Sequence, residues 1–164
     1  MTALLAAMLL AGQARAAAPI QIELDGYFPR SEQLDGHWVE FDAYVYWLRL
    51  RTRHPVLSAL TGEEIVLHSG RRVTACADNN EAILVAIMQG TSLGPLSRRA
   101  ARPRDSYVGV RIRGIFRNRG FTRRMGGVDV EWGAFVDHAR VVRVTGTRCL
   151  VNPRAAEEAA RTRH

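Results

Sequence analysis

The chain has 164 residues, of which 24% are charged and 47% are apolar. This composition is typical of a single globular domain and excludes an intrinsically disordered chain. The formal net charge is +7, and all 23 basic residues are arginines because the sequence contains no lysine. A chain without lysine indicates a GC-rich coding bias, so the overall charge is weak evidence for a nucleic-acid partner, and only local clusters of arginine are informative.

The N-terminus has the pattern of a secretory signal peptide. Residues 1–16 are small and apolar and end in Ala14-Arg15-Ala16, although no basic residue precedes the apolar run. This pattern predicts cleavage after Ala16, and the alternative is an uncleaved N-terminal helix. We therefore predict a periplasmic or secreted protein without a stable membrane span, because no other stretch is long and apolar enough to cross a bilayer.

The remaining chain is predicted as one domain at residues 34–150. An N-terminal extension at residues 17–33 precedes it, with a short edge strand at 20–24, and a polar tail at 151–164 follows it, with one exposed helix. No internal repeat and no second domain are found.

The first half of the domain alternates between apolar and polar residues. Residues 37–51 predict a long strand with its odd-numbered face inward, and Pro55 ends it. Residues 63–68 and 72–77 predict two further strands, joined by a turn at 69–71. Asp78 has the character of an N-cap and apolar residues then recur at helical spacing, so we predict a helix at 79–89 and a long loop at 90–106.

The second half centres on a strand at residues 107–117. Val110, Ile112 and Phe116 fall on one face of this strand, and arginines fall on the other. Gly109 and Gly114 interrupt the strand and indicate bends. Residues 119–127 predict a charged turn, and 128–132 and 139–144 predict the last strands.

Three segments resemble strands of the OB-like domains found in the extracytoplasmic parts of bacterial sensor kinases. They are 34–41 (LDGHWVEF), 109–116 (GVRIRGIF) and 136–144 (VDHARVVRV), which resemble the first, fourth and last strands. The resemblance covers residues 34–145 and implies a mainly β protein, a five-stranded OB-fold Greek-key barrel with one helix between strands 3 and 4. In that fold strands 3 and 5 are parallel neighbours, which implies that Cys76 and Cys149 lie at the same end of the barrel. In an exported protein this favours a disulfide, and the alternative is two unpaired cysteines.

The candidate ligand-binding residues are arginines of the 98–124 segment and two tyrosines. They are Arg98, Arg99, Arg102, Arg104, Arg111, Arg113, Arg117, Arg119, Tyr44 and Tyr46. We expect binding through the face of the first three strands and the loop around Arg98 to Arg104. Guanidinium groups bind carboxylates and phosphates, which points to an acidic protein partner or an anionic ligand. A basic groove with aromatic residues also suits single-stranded nucleic acid, which is the alternative function. The simplest interpretation of the arginines is a solvated strand face, and that of the tyrosines is a role in the core.

Catalytic and metal sites are not predicted. The five histidines are scattered, without the spacing of a zinc site, and no nucleophile elbow, P-loop or dinucleotide fingerprint is present. Asp129 and Glu131 share a strand face, as solvated strand residues commonly do. We therefore predict a non-catalytic binding or adaptor protein without a cofactor.

Overall fold

In the computed structural model, residues 18–24, 31–48, 56–76, 84–88, 106–125 and 127–162 are described. Their strands and helices, in chain order, are β1 (Ile20–Gln21), α1 (Ser31–Leu34), β2 (Trp38–Leu48), β3 (Val56–Leu60), β4 (Gly62–Val66), β5 (Arg72–Cys76), β6 (Leu84–Met88), β7 (Ser106–Arg117), β8 (Phe121–Met125), β9 (Val128–Trp132), β10 (Phe135–Leu150) and α2 (Pro153–Arg161). The prediction of a mainly β protein is confirmed. The predicted signal peptide lies outside the described residues.

Strand β2 buries the face that its alternating sequence predicts. Val39, Phe41, Ala43 and Val45 are buried, at 0–5% exposure. The buried side chains of β7 continue this core, and Val110, Ile112 and Phe116 are fully buried. The core therefore lies under β2 and β7, and the opposite face of these strands is available to polar side chains.

An eight-stranded sheet contains all the described strands except β8 and β9. Within it β2 pairs with β3 and β7, β3 pairs with β6, and β10 pairs with both β6 and β7. The pairing of β6 with β10 is parallel, whereas the other four pairings are antiparallel. Strand β1 adds to β2 in parallel register at Ile20↔Val39. The arrangement places β2, β7 and β10 side by side.

The predicted helix at 79–89 is wrong where the structure describes it, because Leu84–Met88 is strand β6. This strand pairs with β3 on one side and with β10 on the other. A short apolar run cannot be assigned to a helix or a buried strand by periodicity alone, and here the two neighbouring strands decide the outcome. The remaining part of the predicted helix lies outside the described residues.

Strand β3 is absent from the sequence prediction, which stops at Pro55. All five residues of Val56–Leu60 are buried. The run is short, apolar and bounded by proline and glycine, which is the pattern of a fully buried strand. As a consequence β3 and β6, rather than the β4–β5 hairpin, lie between β2 and β10 in the sheet order.

The predicted hairpin itself is confirmed by the antiparallel pairing of β4 with β5. It joins the sheet through one parallel pair, Leu150↔Ala75. Beside this pair, a disulfide links Cys76 to Cys149, as predicted. Cys149 lies inside β10 rather than beyond it, because this strand runs to Leu150.

The C-terminal helix α2, also predicted, holds the hairpin turn. Glu157 accepts hydrogen bonds from the backbone N–H groups of His68 and Ser69, at 3.1 and 2.8 Å. The bonds from Ser69 lower the pKa of Glu157. The hairpin is therefore fixed at both ends, by the disulfide and by this carboxylate.

Part of the segment predicted as a charged turn at 119–127 is strand β8, which pairs with β9 in a separate two-stranded sheet. Gly127 supplies the turn between them, with a φ of 92°. The turn is therefore shorter than predicted.

Strand β10 is irregular, and its irregularity sets the positions of its side chains. Its register with β7 shifts between Asp137 and Arg140 and again between Val141 and Arg143. His138 in the first bulge has a φ of 51°. Gly114 faces this bulge, and a Cβ at Gly114 would lie 2.7 Å from the carbonyl oxygen of Asp137. Because glycine has no side chain at this position, β7 and the bulge of β10 can lie close to each other.

Candidate functional site

Two rows of charged side chains cross β2, β7 and β10 on the face opposite to the core. In each row β2 contributes a carboxylate, β7 an arginine and β10 a second arginine. The rows are Glu40–Arg113–Arg140 and Asp42–Arg111–Arg143. Side chains directly opposite each other on neighbouring strands lie on one face, about 5 Å apart at Cβ. We call these six residues the arginine face.

In the first row, Glu40 and Arg113 are paired in a partly buried position. Arg113 donates from Nε and Nη2 to Glu40 Oε2, with an Nε–Oε2 distance of 2.7 Å. These bonds hold the pKa of Glu40 below its ordinary value, although burial acts in the opposite direction. Glu40 therefore remains ionised at neutral pH and neutralises Arg113.

In the second row, Asp42 and Arg111 form a bidentate pair closer to solvent. Arg111 Nε donates to Asp42 Oδ1 at 2.8 Å, and Nη2 donates to Oδ2. The pair lowers the pKa of Asp42 and raises that of Arg111. The side chain of Asp42 is 52% exposed, so this pair is more accessible than the first.

Two of the three arginines of β10, Arg140 and Arg143, complete the rows and are less closely paired. Both are exposed, and neither forms a salt bridge with a residue that the structure describes, although Arg143 is near enough to Asp42 to help lower the pKa of that carboxyl. Each row thus has one carboxylate for two guanidinium groups. The six residues of the arginine face, four arginines and two carboxylates, therefore have a net charge of +2.

Arg140 and Arg143 are absent from the sequence prediction for a physical reason. They are three residues apart, which in a regular strand places side chains on opposite faces. The register shift between Val141 and Arg143 absorbs one residue and brings both arginines opposite β7 arginines. The alternation of β7 could be read from the sequence, but the bulge of β10 could not.

A groove of about 790 Å³ adjoins the second row. Besides Asp42 and Arg111, its lining includes Tyr44, Gly109 and the hydroxyl-bearing residues Thr145 and Thr147. A Cβ at Gly109 would collide with both threonine hydroxyls, which hydrogen-bond to each other at 2.8 Å. The glycine predicted as a bend point therefore allows β10 to approach β7 closely beside the groove.

The predicted site arginines do not all lie together. Arg111 and Arg113 belong to the arginine face, whereas Arg117 lies four residues, or about 13 Å, further along β7. Arg117 is opposite Phe135 in the register, and Arg119 lies over the Phe135 ring at 5.7 Å. These two arginines form a separate cluster.

Four more predicted site residues, Arg98, Arg99, Arg102 and Arg104, lie outside the described residues. The arginines that the structure brings together are on β7 and β10, and β7 lies beside β2, the long strand predicted at residues 37–51. Their positions follow from the pairing of β7 with β2 and β10.

The two predicted tyrosines pack beside the disulfide, and one of them also borders the groove next to Arg111. Tyr46 stacks on Tyr107, with ring centroids 4.9 Å apart, and burial raises the pKa of Tyr107. Tyr44 packs against the same cluster, which contains Cys76 and Cys149. Both predicted tyrosines are half-buried, and Tyr44 also lines the groove.

The described ranges offer neither a metal-binding cluster nor a membrane-spanning helix. These ranges contain no cluster of three or more histidine, cysteine, aspartate or glutamate side chains arranged to hold a metal ion. Asp129 and Glu131 are exposed on β9, away from the arginine face in the sheet topology. No helix in the described part of the chain is long and apolar enough to cross a membrane.

The sequence was compared with models of protein families and with curated proteins. No family model matches it, and no curated protein gives a significant match. The candidate site therefore stands on the geometry of the arginine face and its groove.

Proposed function

We propose that this protein is a non-catalytic, exported binding or adaptor module that uses its arginine face to bind an anionic ligand or an acidic protein partner. The architecture proposed for it is a five-stranded OB-fold Greek-key barrel. The single observation that carries the binding proposal is the excess of positive charge in the two rows, where Arg140 and Arg143 are exposed and form no salt bridge with a described residue.

The strand pairings support the OB-fold. Strands β2, β3, β6, β10 and β7 pair in this order, and β7 also pairs with β2. The parallel pair β6–β10 corresponds to the parallel third and fifth strands of the fold that the sequence resembles. The OB-fold hosts many unrelated binders, so the function is argued from the site.

The energetics of the rows support an anionic partner. Like charges directly opposite each other on neighbouring strands are destabilising, and Arg113–Arg140 and Arg111–Arg143 are two such pairs. Each row contains one carboxylate, which the β7 arginine already engages. A bound carboxylate or phosphate would compensate the β10 guanidinium groups through charge-assisted, bidentate hydrogen bonds.

Export is supported by the disulfide. Disulfides persist in oxidising compartments such as the periplasm and are rare in the cytosol. Cys149 is fully buried in its bond with Cys76, which suits a structural role. A mature N-terminus at Ala17 in a secreted or periplasmic fraction would be the direct test, and a full-length cytoplasmic protein would contradict export.

An acidic protein partner is favoured over single-stranded nucleic acid. Nucleic-acid binding by OB-folds depends on aromatic rings on which bases stack. Tyr46 and Tyr107 stack on each other, and Tyr44 packs against the disulfide cluster. Tyr46 and Tyr107 are thus engaged with each other, whereas Tyr44 also lines the groove and Trp38, which is 43% exposed, lies beside the first row. These two rings lie on β2 at opposite ends of the rows, so they do not form the continuous series of stacking rings that a single strand uses.

The test is a binding titration with two probes at two salt concentrations. The probes are a fluorescent polyglutamate and a fluorescent single-stranded oligo-dT. We expect salt-sensitive binding of polyglutamate, weakened roughly tenfold by the double change Arg140→Gln/Arg143→Gln. The matched control is Arg71→Gln/Arg154→Gln, which removes the same charge from two exposed arginines outside the rows. Equal loss in both variants, or no binding of polyglutamate, would contradict the proposal, and tighter binding of oligo-dT would favour the nucleic-acid function.

A further inference from the structure

We infer that the partner is an extended acidic peptide segment with two carboxylates at alternate positions, i and i+2. This inference rests on the proposed function and specifies the partner's chemistry. It follows from the spacing of the two rows and from the groups that flank them.

The two rows repeat at the spacing of an extended chain. Arg113 and Arg111 are two residues apart on β7, which corresponds to about 6.8 Å. Arg140 and Arg143 follow the same step because they lie opposite these residues. In an extended peptide, side chains i and i+2 point to the same side at this same repeat. Two alternate carboxylates therefore match two successive rows.

Within each row the β10 arginine is the exposed guanidinium group that forms no salt bridge with a described residue. The carboxylates of Glu40 and Asp42 occupy Arg113 and Arg111, with bonds of 2.7 and 2.8 Å. An incoming carboxylate therefore meets Arg140 or Arg143, which are exposed. A guanidinium group and a carboxylate match in planar, bidentate geometry. The arginine face thus accepts one carboxylate per row.

The residues on either side of the two rows limit the number of peptide carboxylates that the arginine face can bind to two. On one side, the next position of the sheet face is Trp38–Ile115–Asp137, and the Asp137 carboxylate lies 3.6 Å from His138 Nε2. A third acidic residue there would meet a like charge. On the other side, the groove offers the hydroxyl groups of Thr145 and Thr147 and no additional arginine. This side suits an uncharged polar side chain of the peptide.

The same limits give a polyanion charged at every step no advantage over two correctly spaced charges. A phosphodiester chain would bring successive charges toward Asp137 on one side and toward Glu23 and Asp42 at the groove on the other. An acidic peptide can place neutral residues at these positions. The arginine face therefore distinguishes ligands by the spacing of their negative charges rather than by their total charge.

The test uses the full chain and a series of synthetic peptides in a Gly/Ser/Thr background. Three peptides of equal length carry two glutamates, at i and i+1, at i and i+2, or at i and i+3, and a fourth carries three at alternate positions. Affinities are measured by NMR titration. We expect the i, i+2 peptide to bind about three- to fivefold more tightly than the other two, because it alone engages both rows. The third glutamate should add less than twofold.

Variants separate this inference from the proposed function. Arg140→Gln removes one row, so the preference for i, i+2 should disappear while weak binding remains. Arg71→Gln should leave the preference unchanged. Equal affinities of the three two-glutamate peptides would overturn the spacing inference while leaving anion binding intact. Absence of binding by all four peptides and by polyglutamate would overturn both, and tighter binding of a single-stranded dT oligomer of equal charge would overturn the choice of a peptide.

Discussion

Glu40 on β2 accepts two hydrogen bonds from Arg113 on β7. Glu40 is buried there, with a relative solvent exposure of 7%. A buried carboxylate is stable when it is paired and hydrogen-bonded, and removal of one partner leaves the other uncompensated. This pair therefore joins the two central strands of the sheet as well as belonging to the arginine face.

The two rows should differ in their contribution to stability. Glu40→Gln should lower the melting temperature more than Asp42→Asn, because Glu40 is buried whereas Asp42 is half exposed and its pair is screened by water. Thermal unfolding followed by circular dichroism, at equal protein and salt concentrations, measures both. A larger loss in the Asp42 variant would contradict the assignment of the inner pair as the structural one.

Stability should fall in acid through the same carboxylates. The folded-state pKa values of Glu40 and Asp42 are below their ordinary values of 4.5 and 3.8. The stabilisation from each ion pair is therefore fully present above the unfolded-state pKa and is lost as the pH falls through the folded-state pKa. Urea unfolding between pH 7 and pH 3 should show this decline, and it should be shallower in Glu40→Gln/Asp42→Asn. An identical pH dependence in both proteins would refute the linkage.

Removal of the β10 arginines should stabilise the unliganded protein. Arg140→Gln relieves a like-charge pair with Arg113, and we expect a gain of about 0.2–1 kcal/mol in the free energy of unfolding at low salt. Arg143→Gln relieves the pair with Arg111 but also removes an attraction to Asp42, so its gain should be smaller. The gain should shrink at high salt because exposed charges are screened. Denaturant titrations at two salt concentrations measure it, with Arg71→Gln as the control. A loss of stability would indicate that these arginines have structural partners.

The disulfide should contribute substantially to stability. Cys76 and Cys149 are 73 residues apart, and closure of a loop of this length corresponds to about 4 kcal/mol in the chain-entropy model. Cys76→Ser/Cys149→Ser should lower the free energy of unfolding by about this amount and increase hydrogen exchange in the β4–β5 hairpin, which pairs with β10 at one residue pair. Unchanged exchange in the hairpin would show that Glu157 and the helix α2 hold it without the disulfide.

The parts of the fold predicted from the sequence are those determined by local alternation. Strands β2 and β7 have strong period-two patterns, and their buried faces are those expected from Phe41, Val110 and Ile112. The hairpin β4–β5 followed from its turn residues. In these elements each residue's environment is set mainly by its own strand and nearest neighbours.

The parts that could not be predicted depend on partners distant in sequence. The run Leu84–Met88 fits a helix or a strand until β3 and β10 are placed beside it. In the same way, the sequence predicts Arg111 as a ligand-binding residue but gives no sign of its ion pair with Asp42, 69 residues away. Arg140 and Arg143 lie on the same face as the β7 arginines because β10 contains bulges. No pattern in the sequence predicts these bulges.

The most direct test of the central claim is an NMR titration that observes the arginine Nε–Hε signals during addition of the i, i+2 diglutamate peptide. We expect the largest shifts at Arg140 and Arg143, smaller shifts at Arg111 and Arg113, and none at Arg71 and Arg154. Saturable shifts confined to other arginines, with Arg140 and Arg143 unchanged, would contradict it.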